Sequence, residues 1–167
     1  DNAFSMLTNA DMQFPSIKDE KNKTVEMSEE RATTYLRSRR RTVRKAAFNS
    51  LYKPYCDMKN TLGATFDGML KATKFYAEVR KYDSPLKAAL DGDNIPESVY
   101  ISLVDTLESN LAPMHRYLAL RKKILRVKEL HMYDLYTPLV KDPFKDISWS
   151  AAKEMMFSAL APLGKEY

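Results

Sequence analysis

Two long series of apolar residues at helical spacing constrain the fold of this chain more than any other feature of its sequence. Steps of three and four residues place such side chains on one face of an α-helix, over about eight turns in the first series. We therefore predict an all-α fold, an antiparallel stack of long helices whose apolar stripes face a core. The first series is Phe48, Leu51, Tyr55, Met58, Leu62, Phe66, Met69, Thr73 and Tyr76, and the second is Val99, Leu103, Leu107, Leu111, Met114, Leu118 and Leu125.

Capping residues and prolines place the ends of the helices. Ser28, Ser38, Ser84 and Ser148 each precede a helical pattern, and a serine hydroxyl can accept a hydrogen bond from a free amide of the first turn. Prolines at 54 and 113 interrupt the two long patterns and should kink or split them. The predicted helices cover about 28–37, 39–81, 84–91, 96–127 and 148–161, while residues 131–147 look irregular.

Residues 12–27 have the pattern of a β-hairpin. Apolar residues alternate on two limbs, and the polar stretch 18–23 supplies the turn. Pro15 lies in the first limb, which is typical of an edge strand because proline cannot donate a backbone hydrogen bond. We predict a small N-terminal hairpin attached to a single helical region, 1–167.

Composition limits the classes of protein that the chain can belong to. Apolar residues make up 44% of its 167 residues and there are 4 glycines, which favours one helix-rich domain. Cys56 is the single cysteine, so no internal disulfide can form, and a buried structural thiol is the favoured interpretation. No apolar run approaches the ~20 residues that span a bilayer. We therefore expect a cytoplasmic protein with no membrane partner.

A basic cluster between Arg37 and Lys45 could bind a second macromolecule. The net charge is +5, and six of nine residues in the cluster are Arg or Lys. Such a cluster can bind nucleic acid through phosphate contacts, but the solvated start of a helix is the favoured interpretation. A helical nucleic-acid-binding or protein-interaction module therefore remains an alternative, although acidic residues elsewhere make nucleic acid the weaker partner.

The chain lacks the residues of a complete catalytic site. Its two histidines, His115 and His131, are sixteen residues apart, and neither belongs to an H-E-x-x-H motif. His131 and Asp134 could share a metal, but a histidine that is hydrogen-bonded within a loop is the favoured interpretation. We predict no catalytic residue, no metal ligand and no cofactor within the chain itself.

The stretch 131–138 is the most unusual part of the sequence. Tyr133, Asp134 and Tyr136 lie together in an irregular segment, where they could hydrogen-bond a peptide backbone. The alternative is that the tyrosine hydroxyls are tied to helix ends. His131, Tyr133, Asp134 and Tyr136 are therefore the candidate substrate-cleft residues.

This stretch resembles a segment of bacterial oligoendopeptidase F, a zinc metallopeptidase related to thimet oligopeptidase. Similar segments follow in the same order over essentially the whole chain, and 131–140 is the most specific of them. The segments are Asn9-Ala10-Asp11 with Phe14-Pro15, Val43-Arg44-Lys45-Ala46-Ala47-Phe48, Phe75-Tyr76-Ala77-Glu78-Val79-Arg80, Asn94-Ile95-Pro96, His115-Arg116-Tyr117, His131-Met132-Tyr133-Asp134-Leu135-Tyr136-Thr137-Pro138-Leu139-Val140 and Ala161-Pro162-Leu163-Gly164-Lys165-Glu166-Tyr167.

The resemblance implies part of a helical ellipsoid with a deep cleft in which zinc and an H-E-x-x-H glutamate cleave short peptides. That motif lies downstream of the matched region, so no catalytic role is transferred to any residue here. The absence of an initiator Met and of the motif leads us to expect an inactive fragment of a zinc-dependent parent. Its expected partners are short peptides in the parent, the remainder of the peptidase chain, and a second copy in a homodimer.

Overall fold

The computed structural model describes residues 2–140 and 147–164, and these residues form a mainly helical structure with one small sheet. Of these described residues 69% are helical, in eight α-helices and three shorter helical turns, and a two-stranded hairpin lies near the N-terminus. The predicted all-α class with an N-terminal hairpin is confirmed. The strands are β1 (Phe14–Lys18) and β2 (Thr24–Met27). The helices are α1 (Asn2–Met6), α2 (Glu29–Leu36), α3 (Arg41–Asp57), α4 (Lys59–Val79), α5 (Pro85–Asp91), α6 (Glu97–Ser109), α7 (Ala112–Leu125) and α8 (Trp149–Leu160), with a π-helical turn at Leu7–Asp11 and 3-10 turns at Met132–Asp134 and Ala161–Leu163.

The hairpin is held by its turn and by α3. Strands β1 and β2 pair antiparallel, with Ile17 opposite Val25. The Asp19 carboxylate accepts hydrogen bonds of 2.8 Å from the backbone amides of Lys21 and Lys23, a local bond that favours a turn. The Ser50 hydroxyl of α3 donates to the Pro15 carbonyl, which fastens the hairpin to this helix.

The principal buried core lies at the N-terminal end of the chain. It brings together the hairpin, α2, α3 and the 3-10 turn at 132–134, which is far away in sequence. Its buried members are Ile17, Met27, Ala32, Leu36, Val43, Ala47 and Tyr133.

Three of the four predicted serine caps are present. The hydroxyls of Ser28, Ser84 and Ser148 accept from the amide three residues later, at 3.2, 3.0 and 3.3 Å. The predicted cap at Ser38 is wrong. Helix α3 begins at Arg41, and the Ser38 hydroxyl instead accepts from the Arg40 amide at 3.2 Å and donates to Glu20.

Each long helical pattern is divided, but not where its proline stands. Pro54 lies inside α3, whose hydrogen bonding continues from the Met58 amide to the Pro54 carbonyl at 3.0 Å, and the helix stops at Met58. The second pattern stops at Asn110, and Pro113 lies in the first turn of α7. Proline fits there because first-turn amides have no intrahelical acceptor.

Most side chains on the apolar stripes of α4, α6 and α7 do not reach a core within residues 2–140 and 147–164. The all-α class is confirmed, but the expectation that these stripes face a core is wrong. Phe48 and Leu51 pack against the core, but Phe66 is 58% exposed and Leu107 is 60% exposed. Cys56, predicted to be buried, is exposed. Residues 2–11, for which no element was predicted, are helical.

Within residues 2–140 and 147–164, no helix is both long enough and apolar enough to cross a membrane. Part of the stretch 131–147, predicted to be irregular, lies outside the described residues.

Candidate functional site

Asp134 is the centre of a buried hydrogen-bond network and the most enclosed charged group of the predicted site. It ends the 3-10 turn at 132–134, and its side chain is completely buried. Its carboxylate accepts a hydrogen bond of 3.1 Å from the His131 amide, which closes the turn on itself. A buried carboxylate needs positive charge nearby, and two arginines of α3 supply it.

Arg41 and Arg44 reach Asp134 from the first turn of α3, where residues three apart lie on the same face of the helix. Arg44 is buried, and its Nη2 donates to Oδ1 of Asp134 at 2.7 Å. Arg41 is half exposed, and its Nε and Nη2 donate to the two carboxylate oxygens of Asp134 at 3.1 and 2.9 Å. This forked arrangement is the geometry that makes arginine–carboxylate pairs specific.

The network determines the protonation state of Asp134. Burial by itself raises the pKa of the carboxyl group, but hydrogen bonds from Arg41, Arg44 and the His131 amide outweigh it and lower the pKa from 3.8 to about 2. The hydrogen bonds that Arg41 donates to Asp134 raise the pKa of Arg41. Asp134 is therefore an anion at neutral pH, and its acceptor positions are occupied by the protein itself.

A third arginine fastens the next residues of the segment to α7. Arg121 is 4% exposed, and its Nε donates to the Asp134 carbonyl at 2.9 Å. Its Nη2 donates to the Thr137 carbonyl, and its Nη1 donates to the Tyr117 hydroxyl at 3.0 Å. Charged donors of α3 and α7 thus hold residues 134–137 between these two helices.

Further bonds join this segment to the residues that precede α3. Arg44 Nη1 donates to the carbonyls of Ser38 and Arg39 at 2.9 and 3.0 Å. The buried Thr137 hydroxyl donates to the Ser38 carbonyl at 3.3 Å. Arg44 Nε is buried without a partner among the described atoms, a cost that the three other hydrogen bonds of this guanidinium offset.

Aromatic contacts complete the attachment. The ring of Tyr133 lies 6.0 Å from Phe48 in an edge contact and stacks on His131 at 5.0 Å with an angle of 11°. The Arg41 guanidinium lies 5.3 Å from the centroid of the same ring, within the range of a cation–π interaction. Tyr133 therefore belongs to the core rather than to an open surface.

The four candidate cleft residues fall into two groups. Tyr133 and Asp134 point inwards and are occupied by protein contacts. His131 and Tyr136 point outwards, with the His131 side chain 47% exposed and Tyr136 45% exposed. Their assignment to a substrate cleft stays a prediction, and the outward pair is the part of it that the geometry leaves free to contact a ligand.

The arginines are the residues that sequence reasoning missed. Arg41 and Arg44 were visible as members of the basic cluster 37–45, but nothing in the sequence linked them to an aspartate about 90 positions away. Arg121 interrupts an apolar helix face, which is a usable signal for a buried charge. Within the described residues, Arg40 also donates to the Glu20 carbonyl. Three of the six basic residues in the cluster thus serve internal contacts, which weakens the case for nucleic-acid binding.

No group of three or more His, Cys, Asp or Glu residues that could hold a metal is found in 2–140 and 147–164. His131 Nε2 lies 3.7 Å from a carboxylate oxygen of Glu129, while the Asp134 carboxylate bonds to arginines. The arrangement can hold a peptide segment rigidly in place, but it offers no metal site.

Fold and site together define a helix-rich region in which arginines of α3 and α7 anchor the segment 131–137, and comparison with known proteins gives its family. The sequence matches the model of Peptidase family M3 over residues 34–159. The chain belongs to this peptidase family, and the resemblance to oligoendopeptidase F is confirmed.

The relatives are considerably longer than this chain. Oligopeptidase PepF of Bacillus subtilis (strain 168) is 49% identical over 166 residues, which cover 99% of this chain and 25% of that protein. The chromosomal oligoendopeptidase F of Lactococcus lactis subsp. cremoris is 36% identical over 159 residues, covering 95% and 26%. The crystal structure of oligoendopeptidase-F from Enterococcus faecium has a TM-score of 0.82 at 42% identity, covering 99% and 31%. The chain spans about a quarter of the length of the curated relatives it matches.

Proposed function

We propose that this chain is a structural and substrate-cleft region, 1–167, of a cytoplasmic zinc-dependent oligoendopeptidase that hydrolyses short peptides. The observation that carries the proposal is the full-length match to peptidases in which this region is about a quarter of the protein. The remaining polypeptide would supply the catalytic residues, and this chain alone would be inactive.

Residues 2–140 and 147–164 do not fit a zinc site. A catalytic zinc site needs three protein ligands that converge, and within the described residues no such group exists. We therefore assign no ligand and no reaction step to this chain. Any zinc of the whole peptidase would be held by residues outside it.

The contribution of this chain would be to hold the outward-facing part of 131–137 in place. Buried anchors at Asp134 and Thr137 leave His131 and Tyr136 exposed on the same short segment. Exposed imidazole and phenol groups can donate to or accept from a peptide backbone. In the proposal, this segment forms part of the wall against which a short peptide lies.

Two measurements test the proposal. The purified, tag-free chain should neither cleave a fluorogenic peptide nor contain stoichiometric zinc. A chimera in which this chain replaces the matched segment of Bacillus subtilis oligopeptidase PepF should cleave the same peptide, and deletion of the segment should abolish cleavage. One tightly bound zinc per isolated chain, lost in His131→Ala, would contradict the proposal. So would a deletion variant as active as the chimera.

The substrate-cleft assignment needs its own comparison. In the chimera, Tyr136→Phe should raise KM for a peptide while thermal stability stays unchanged, because the exposed hydroxyl makes no hydrogen bond within residues 2–140 and 147–164. Tyr52→Phe, at an exposed tyrosine of α3 outside the segment, is the matched control. Equal KM values for the two variants would show that Tyr136 does not contact the substrate.

A further inference from the structure

Helix α6 has an apolar face that this chain leaves uncovered. Along Glu97–Ser109 none of the residues is buried, and the main neighbour of the helix is the short α5. A helical projection places five large apolar side chains on one face and Ser98, Ser102 and Asp105 on the opposite one. The apolar face consists of Val99 (55% exposed), Tyr100 (46%), Leu103 (58%), Val104 (37%) and Leu107 (60%).

This face cannot be explained by the requirements of an isolated helix. A helix of 13 residues is marginal in water even with strong helix formers, and α6 contains the β-branched Val99, Ile101, Val104 and Thr106. Its helical state therefore depends on burial of the apolar face, which residues 2–140 and 147–164 do not supply. A partner must supply it.

The charge of α6 narrows the choice of partner. The helix carries Glu97, Asp105 and Glu108 and no Lys or Arg. Helices that bind membrane surfaces carry basic residues on the polar face, so an anionic lipid surface would repel this one. Nucleic acid would repel it for the same reason. The remaining kind of partner is a protein surface with an apolar groove.

We infer that the Val99–Leu107 face of α6 docks against the part of the peptidase polypeptide that lies outside this chain, and that the helix is interior in the assembled enzyme. This inference rests on the proposed function. Relatives carry this region as 25% of their length, so a large additional surface belongs to the same protein. The Enterococcus faecium structure keeps the same arrangement over 99% of this chain inside a polypeptide of which the match covers 31%.

Thiol labelling in the chimera with Bacillus subtilis oligopeptidase PepF tests this inference, with each position read by mass spectrometry. Leu103→Cys places the thiol on the apolar face, and Ser102→Cys, one residue away on the polar face, is the matched control. In the chimera, the thiol of Leu103→Cys should react at least about 20-fold more slowly than that of Ser102→Cys, because a buried position reacts only after local opening. In the isolated chain the two rates should be similar.

Footprinting of the unsubstituted chimera by hydroxyl radicals provides a second measurement that does not depend on the variants folding. Tyr100 and Leu103 should be protected in the chimera and modified in the isolated chain. Equal reactivity in both proteins would overturn the inference. Protection of the isolated chain that increases with its concentration, with no additional protection in the chimera, would assign the face to a second copy and also overturn it.

Peptide cleavage measured on the same samples separates the two proposals. An active chimera with a reactive α6 face contradicts the inference and leaves the proposed function intact. An inactive chimera with a protected α6 face contradicts the proposed function and leaves the inference about α6 intact.

Discussion

The two halves of this molecule use apolar residues in opposite ways. The N-terminal unit, made of β1, β2, α2, α3 and residues 131–137, surrounds a buried core that includes Leu36 and Val43, each 3% exposed. The outer helices α4, α6 and α8 carry equally regular apolar patterns, yet Phe66 and Leu103 are each 58% exposed. Helical periodicity therefore indicates which face of a helix is to be buried, but not whether the same chain buries it.

The difference also concerns charge. The N-terminal unit contains a buried ionic network with Arg44 and Asp134 at its centre. On the outer helices, ion pairs such as Lys71–Asp67 lie in solvent, where they contribute little. The N-terminal unit thus has the properties of a self-sufficient fold, and the outer helices have those of a region that is completed by further protein.

Removing the buried charge at Asp134 should produce the largest effect and would test whether the unit depends on its arginine network. Asp134→Asn leaves the buried Arg44 without its anion, so we expect a loss of about 3–5 kcal/mol in the free energy of unfolding of this unit. Asp105→Asn, on exposed α6, is the matched control. Hydrogen exchange of peptides from α2 and α3 measures the change in stability locally. Equal changes in exchange for the two variants would contradict the prediction.

Truncating one leucine in each region compares the two directly. Leu36→Ala removes buried side-chain volume and should cost about 3 kcal/mol. Leu107→Ala removes an exposed side chain of the same size and should change the stability of the isolated chain by less than about 0.5 kcal/mol. Urea unfolding, followed by hydrogen exchange of peptides from the N-terminal unit and from α6, reports both. Similar costs at the two positions would mean that the outer helices have a core of their own.

Acid should weaken the N-terminal unit by a smaller amount. Because the folded state lowers the pKa of Asp134 to about 2 from 3.8, the ionised carboxylate stabilises the fold fully above about pH 5. This stabilisation, about 2 kcal/mol, is lost as the pH falls through 3.8 towards 2. The stability difference between the unsubstituted chain and Asp134→Asn should therefore shrink by that amount between about pH 5 and pH 2. A constant difference would show that Asp134 does not titrate in this range.

Local signals in the sequence were sufficient for much of the fold. The hairpin followed from alternation at 12–27 and a polar turn, and the caps at Ser28, Ser84 and Ser148 followed from hydroxyls next to helical patterns. Ser38 shows the limit of such signals, because its hydroxyl is used by Arg40 and Glu20 in a bend that depends on the packing of the hairpin against α3. Pro54 shows the same limit of local signals, since α3 continues for one turn beyond this proline.

The sequence singled out the segment 131–136, whose role in a substrate cleft stays a prediction, but it did not predict the contacts of this segment. Sequence reasoning selected 131–136 because tyrosine, aspartate and histidine are concentrated there in an irregular segment. It could not assign the roles of these residues, because Asp134 acquires its partners Arg41 and Arg44 from positions about 90 residues earlier. Contacts over such a distance have no periodicity or spacing to reveal them.

What the sequence alone determined is the helical class of the chain, its hairpin, the peptidase family it resembles and the apolar face of each helix, because these depend on local chemistry and pattern. Only the tertiary structure decided that Asp134 is an anchor held by three arginines rather than a free carboxylate, and that α3 buries its apolar face while α6 does not. The physical reason is that burial and pairing depend on which surfaces meet, and those surfaces come from distant parts of the polypeptide.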